Sequence, residues 1–120
     1  MLWDHQSDIT IRNNIFYGSE QYAIIRYHAS IEDCRIDHNL IYGASRVMMD
    51  DDGCSERANR IGSDPLFMNA SQAPFDFRLR RGSPAIQAGA DTSVPMDFEG
   101  HARGAGAPDI GAFAFTSSER

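Results

Sequence analysis

The sequence predicts an all-β chain of about three stacked turns closed by an irregular tail. Two stretches, ITIRNNIFYG at residues 9–18 and CRIDHNLIYG at 34–43, are near copies offset by 25 residues, and a fixed period of that size marks stacked repeats. Within each copy apolar and polar residues alternate, Ile9 and Ile11 and then Cys34 and Ile36, the period-two pattern of strands buried on one face. Beyond residue 68 the repeat gives way to a segment punctuated by Gly and Pro, as at the closed end of a solenoid. At 120 residues and 42% hydrophobic content the chain suits a single domain, with repeat turns over 1–68 and a capping tail over 69–120.

Each turn is expected to hold at least two short strands. The first runs through the alternating Ile9/Ile11 and Cys34/Ile36 segments; the second is YAIIRYH at 22–28, matched one turn later by RVMMDDD at 46–52, with corners at Gly18 and Gly43. Carrying the offset on once more reaches NRIGSDPLFM at 59–68, placing Ile61 under Ile36, Asp64 under Asn39 and Leu66 under Ile41. Little helix is expected, because Asn, Gly and β-branched residues interrupt every helical window. Equivalent positions of successive turns stack at about 4.8 Å, so the offset serves as a contact map. It places Asn14, Asn39 and Asp64 in an inward ladder at a corner, where side-chain amides bond one another and the backbone groups that the bend leaves unpaired. It also sets Arg12 over Asp37 as an opposite-charge pair.

The tail adds three turn-rich motifs: DPLF at 64–67, GSPAI within FDFRLRRGSPAIQAG at 75–89, and PDIGA within APDIGAFAF at 107–115. Their Gly and Pro residues suit turns that other residues would strain. With the repeats, these motifs resemble the right-handed parallel β-helix and the C-terminal closing region of secreted bacterial β-helix proteins of the pectate-lyase-like, choice-of-anchor Q type. The resemblance runs from Ile9 to Phe115 and implies a short right-handed parallel β-helix of about three coils with a capping tail. Such proteins carry many more turns, and a signal peptide, ahead of this region. In the resembling enzymes the catalytic groove generally lies on more central coils. The implied function is therefore a non-catalytic structural or carbohydrate-contacting module, truncated from a larger β-helix protein and self-associating. The alternative is a remnant or minimal polysaccharide lyase or glycoside hydrolase.

A net charge of −6 and a pI near 5.0 argue against a nucleic-acid partner, whose phosphates need basic groups that Asp and Glu here outnumber. No apolar run approaches the roughly 18 to 20 residues of a membrane span. The opening MLWDHQSD lacks the basic and apolar regions of a secretory signal, so the chain reads as cytoplasmic or as a fragment of a secreted protein. Cys34 and Cys54 form no C-x-x-C pair and need not adjoin in a 25-residue turn. Two free, partly buried thiols are preferred to a disulfide.

The densest ionisable set is Asp50, Asp51, Asp52 and Glu56, with Arg26, Tyr27 and His28 one turn above. Clustered carboxylates suit Ca²⁺, making Asp50, Asp51 and Asp52 the metal candidates, and Asp51, Asp52 and His28 the catalytic ones. Against this, a DDDG run is also an ordinary solvated loop, and all eleven basic residues are Arg, leaving no Lys as a base. No resident cofactor is expected. His38 sits in the slot of Asn13 above and Ser63 below and reads as a corner residue making local hydrogen bonds.

Strict alternation sends Ile15, Tyr17, Leu40 and Tyr42 outward, followed by Pro65 and Phe67, as an apolar stripe. Such a stripe is covered either by the chain's own tail, through Phe75, Phe77, Leu79 and Ile86, or by a partner. Tyr17 and Tyr42 also suit an aromatic platform for a polysaccharide. A homodimer is the expected assembly, since the first turn has little to cover it. Leu2 and Trp3 join Ile15, Tyr17, Leu40 and Tyr42 as its interface candidates.

Overall fold

Alternating apolar residues separated by Asn and Gly corners build strands throughout. The structure is a computed structural model that describes residues 2–18, 20–49, 53–103 and 106–116, with the backbone path alone at 2–6 and 26–29. Among the described residues there are strands and no helix. The strands are β1 (Leu2–Arg12), β2 (Ile15–Tyr17), β3 (Tyr22–Ile24), β4 (Arg26–Asp37), β5 (Leu40–Tyr42), β6 (Arg46–Met48), β7 (Cys54–Arg57), β8 (Arg60–Ile61), β9 (Phe67–Asn69) and β10 (Asp76–Leu79). The first eight form three parallel sheets, ordered β1-β4-β7, β2-β5-β8 and β3-β6, so that each pass of the chain lays its strands alongside those of the previous one. The last two pair antiparallel in the tail.

The 25-residue offset holds between the first two passes: Ile9 pairs Cys34, Ile11 pairs Ile36, and Tyr17 pairs Tyr42. The second step corrects the reading from sequence. Cys34 pairs Cys54, Asp37 pairs Arg57 and Ile41 pairs Ile61, a separation of 20, so Glu56 rather than Ile61 lies under Ile36. The strand columns are kept while the connection between β6 and β7 is shortened, which a constant period cannot register. Parallel pairing ends at Ile61.

The corner ladder shifts accordingly, from the expected Asn14, Asn39 and Asp64 to Asn14, Asn39 and Asn59. Asn39 Oδ1 accepts the Asn14 backbone N–H at 2.9 Å and Nδ2 at 3.1 Å, and Asn59 Oδ1 accepts the same two groups of Asn39, each at 3.0 Å. Asn39 Nδ2 and Asn59 Nδ2 also donate to the carbonyls of Ile11 and Ile36. The residue before each ladder member, Asn13, His38 or Ala58, is left-handed, which lets the chain turn from one sheet into the next. Asp64 instead accepts the Leu66 N–H in the local turn of DPLF.

Between the sheets lies a core of Cys34, Ile36, Ile41, Val47 and Met48, all buried. Their first-pass counterparts Ile9, Ile11, Phe16 and Ile24 are only half-buried, having neighbours on one side. The third pass is polar, with Glu56 under Ile36 and Arg60 under Leu40, as expected of an end repeat. The two cysteines do adjoin: Cys34 and Cys54 are register partners with Cα atoms 4.3 Å apart, joined in a disulfide that ties β7 to β4. Free thiols, the reading preferred from sequence, are thereby corrected.

The tail folds back over the outer face of β2-β5-β8, where Leu40, Leu79, Ala85 and Ile110 make a second buried core with Ile15, Tyr42 and Phe67 at its margin. Its motifs are fastening points. Asn13 exchanges two hydrogen bonds with the Ala90 backbone, and its carbonyl accepts the Gly111 N–H. Asp109 of PDIGA accepts the N–H groups of Gln87 and Phe115. Gly111, at φ +102°, approaches so closely that a Cβ would lie 2.7 Å from Ile15 Cδ1. The Arg103 guanidinium donates to the carbonyls of Met96, Asp109 and Gly111. Asp97 accepts three backbone N–H groups, from Glu99, His101 and Ala114. Burial pushes the Asp97 carboxyl up, but the three donors outweigh it and its pKa lies below the ordinary value.

Candidate functional site

Coverage by the tail decides which of the outward residues stay available. Leu40 is fully buried beneath it, and Ile15 and Tyr42 are half-buried, so Leu40 is a core residue rather than an interface residue. Tyr17 remains 47% exposed. Of the four tail residues expected to cover the stripe, Leu79 and Ile86 do so, whereas Phe75 and Phe77 stay 56% and 46% exposed. The reason is local. Leu79 reaches the second core beside Leu40, whereas Phe75 and Phe77, before the register shift between Asp76 and Leu79, stay toward the rim.

The result is a run of rings along one surface. Tyr17 lies 5.7 Å from Tyr42 and 5.4 Å from Phe67, Phe67 meets Phe77 edge-on at 5.2 Å, and Phe77 stacks with Phe75 at 5.9 Å. Such offset and edge-on pairs are favourable ring geometries. Tyr17, Phe67, Phe77 and Phe113 line an open groove of about 630 Å³, together with Asn13, Asn14 and the Ile110–Ala112 segment. Beyond Phe77 a second, shallower depression carries Asn69, the Asp76–Arg78 pair and Glu99. Arg78 holds Asp76 through two hydrogen bonds of 2.6 and 2.9 Å, so both groups have defined positions.

A second polar constellation lies at the ladder corner. The Arg12–Asp37 pair expected from the offset is present and bidentate, at 2.7 and 2.9 Å, and Asp37 also meets His38 Nδ1 at 2.9 Å. The Arg12 hydrogen bonds, opposed by desolvation and aided by His38, hold the Asp37 carboxyl down at about 2. A carboxyl whose folded-state value lies below its ordinary 3.8 stabilises the fold above about pH 4 and loses that contribution as pH falls through about 2. The loss amounts to about 2 kcal/mol. Arg12→Gln is therefore expected to raise the Asp37 pKa toward 4 and to move acid unfolding to higher pH. Carboxyl NMR shifts and circular dichroism across pH 2–6 check this, and an unchanged Asp37 titration would refute the pairing.

The sequence candidates divide. Asp50, Asp51 and Asp52 lie outside the described residues, and for His28, Leu2 and Trp3 only the strand backbone is described, in β4 and β1. Among the described residues no cluster of His, Cys, Asp and Glu is close enough to hold a metal ion, and no helix is long and apolar enough to cross a membrane. His38 does make a local corner bond, but with Ala58 rather than Ser63 as its third-pass counterpart. Sequence reading missed the aromatic rim as a continuation of Tyr17. The F-x-F spacing of Phe75 and Phe77, whose rings stack on each other, was the available signal. No protein-family model matches the chain, and no curated protein matches it in sequence.

Proposed function

We propose that this chain is a non-catalytic polysaccharide-contacting module, carried on a short right-handed parallel β-helix of the pectate-lyase-like, choice-of-anchor Q type. The single observation that supports this best is the aromatic-walled groove. A pyranose ring presents an apolar C–H face and a hydroxylated edge, so a site for it needs exposed rings flanked by a few fixed polar groups. Tyr17, Phe67 and Phe77 supply the rings; Asn14 in the groove, and Asp76, Arg78 and Glu99 in the neighbouring depression that shares Phe77, supply the polar partners. Exposed aromatic surface of this extent otherwise carries a solubility cost without return.

Calorimetric titration with cellohexaose, xylohexaose and oligogalacturonate tests the reading. Binding of at least one is expected, weakened about tenfold by Phe77→Ala and by Tyr17→Ala, in line with the roughly 1.5 kcal/mol that an aromatic contact adds. Both side chains are about half exposed, so the fold should survive either change. Absence of binding to all three, or binding indifferent to both substitutions, would remove the groove from consideration.

A further inference from the structure

The ladder corner holds a second, chemically different site. Three features converge there. The first is an oriented imidazole. Asp37 is ionised and pinned by Arg12, and a carboxylate can only accept, so in the neutral imidazole His38 Nδ1 carries the proton and Nε2 is left as the acceptor. Nε2 has no hydrogen-bond partner among the described residues and is not a buried atom. The left-handed backbone at His38, φ +55°, sets the ring on the outside of the turn, where Asn13 and Ala58 stand in the neighbouring passes.

The second feature is an unpaired cation. Arg60 replaces the apolar residue of its column, lying under Leu40, and is held in place by its backbone N–H to the Asn39 carbonyl at 2.8 Å. Among the described residues its guanidinium has no ion pair or hydrogen bond, and it is exposed. The third feature is a shared enclosure. His38 and Arg60 line one cleft of about 490 Å³, closed on its far side by the tail at Gln87, Ala88 and Gly89. Among the described residues, Arg60 is the one permanently charged residue lining the cleft; Asp37, next to His38, is neutralised by Arg12, and Asp109, bound to the Gln87 N–H, is engaged by two backbone N–H groups. The corner is thus locally positive in a chain of net charge −6, the condition for drawing an anion to one place.

We infer that this cleft binds a hydroxycarboxylate, its carboxylate on the Arg60 guanidinium and its hydroxyl donating to His38 Nε2. Each half selects separately. Arg presents a planar fork of donors matched to a carboxylate. The lone pair on Nε2 repels a bare anion but accepts from a hydroxyl, so a simple carboxylate forfeits one of the two interactions. Arg12 and Asp37 are positioning residues, since they fix the tautomer without reaching the ligand. The site is independent of the aromatic groove and needs no polymer.

Nitrogen-15 NMR titration of the intact chain with glycerate, propionate and glycerol decides the matter. Glycerate is expected to shift the amides around residues 38, 59, 60 and 87–89, and to bind about threefold to tenfold more tightly than propionate, the loss set by one hydrogen bond. Glycerol is expected not to bind. Arg60→Gln, at an exposed position, should weaken glycerate at least tenfold, the scale of a charge-assisted bond. His38→Ala, tolerated at a corner where Ala58 already occupies the equivalent left-handed position, should equalise glycerate and propionate. Binding of glycerate unaffected by Arg60→Gln, or a preference over propionate that survives His38→Ala, would overturn the assignment. Tyr17→Ala should leave these titrations unchanged, which separates a failure here from a failure of the groove.

Discussion

Replacing Asn39 with Ala is expected to cost about 3–5 kcal/mol, a large share of the roughly 5–15 kcal/mol that holds a domain folded. Asn39 is the middle rung of the ladder and is fully buried. Its Oδ1 takes two donors from Asn14, and its Nδ2 gives to the Ile11 carbonyl and to Asn59 Oδ1. Truncation strands the Ile11 carbonyl and the Asn59 Oδ1 at the inner side of a corner, and removes the acceptor of the Asn14 N–H. Each buried polar group left unmade costs about 1–3 kcal/mol. Asn14→Ala offers the control. Asn14 is exposed at the first-pass end, so water can replace what it loses, and a cost of about 1 kcal/mol is expected. Urea unfolding of the two variants measures the difference. Equal costs, or a cost below 1 kcal/mol for Asn39→Ala, would mean that the ladder is incidental to stability.

The second large effect is expected from reduction of the Cys34–Cys54 disulfide. The bridge closes a loop of 20 residues, and constraining a loop of that length in the unfolded chain contributes about 3 kcal/mol. Beyond its backbone pairing and the Asn59 rung, the third pass has little apolar burial to hold it. Glu56, Arg57, Ala58 and Arg60 are exposed, Ile61 is nearly half exposed, and the apolar column that runs through Ile11 and Ile36 stops there. Loss of the bridge should therefore show first as faster amide exchange in β7 and β8, with β1 and β4 still paired, before global stability falls. Cys54→Ala should reproduce the reduced protein's midpoint, because the packing lost is small. Two alkylated thiols in protein never exposed to reductant would dismiss the bridge; an unchanged unfolding midpoint on reduction would dismiss its contribution.

The polar third pass also shapes the surface. It ends the apolar column and leaves its own side chains to solvent, which is what frees Arg60 to face the cleft beside His38. The aromatic groove has a different origin, since the tail must cover Leu40 and in doing so lifts Phe75 and Phe77 to the rim. One cleft thus arises where the apolar column ends and the other where the tail covers Leu40.

What the sequence determined by itself is the column structure of the first two passes. In-register parallel stacking puts like residues over like at a constant offset. The pairs Ile11/Ile36, Asn14/Asn39 and Tyr17/Tyr42, and the opposite charges of Arg12 and Asp37, were therefore legible before any coordinate. The third pass was misread because stacking conserves columns, not spacing. A shorter connection left Cys54, Asn59 and Ile61 beneath Cys34, Asn39 and Ile41 at an offset of 20. The Cys-x4-Asn-x-Ile spacing common to both passes was a readable clue, and the disulfide follows from it. The rest belongs to tertiary structure alone. Which apolar residues of the tail go under and which stay out depends on how the irregular β9–β10 pair seats Leu79 against Leu40, and on Gly111 admitting the chain against Ile15. Those are distances across the chain, with no local pattern of residues to announce them.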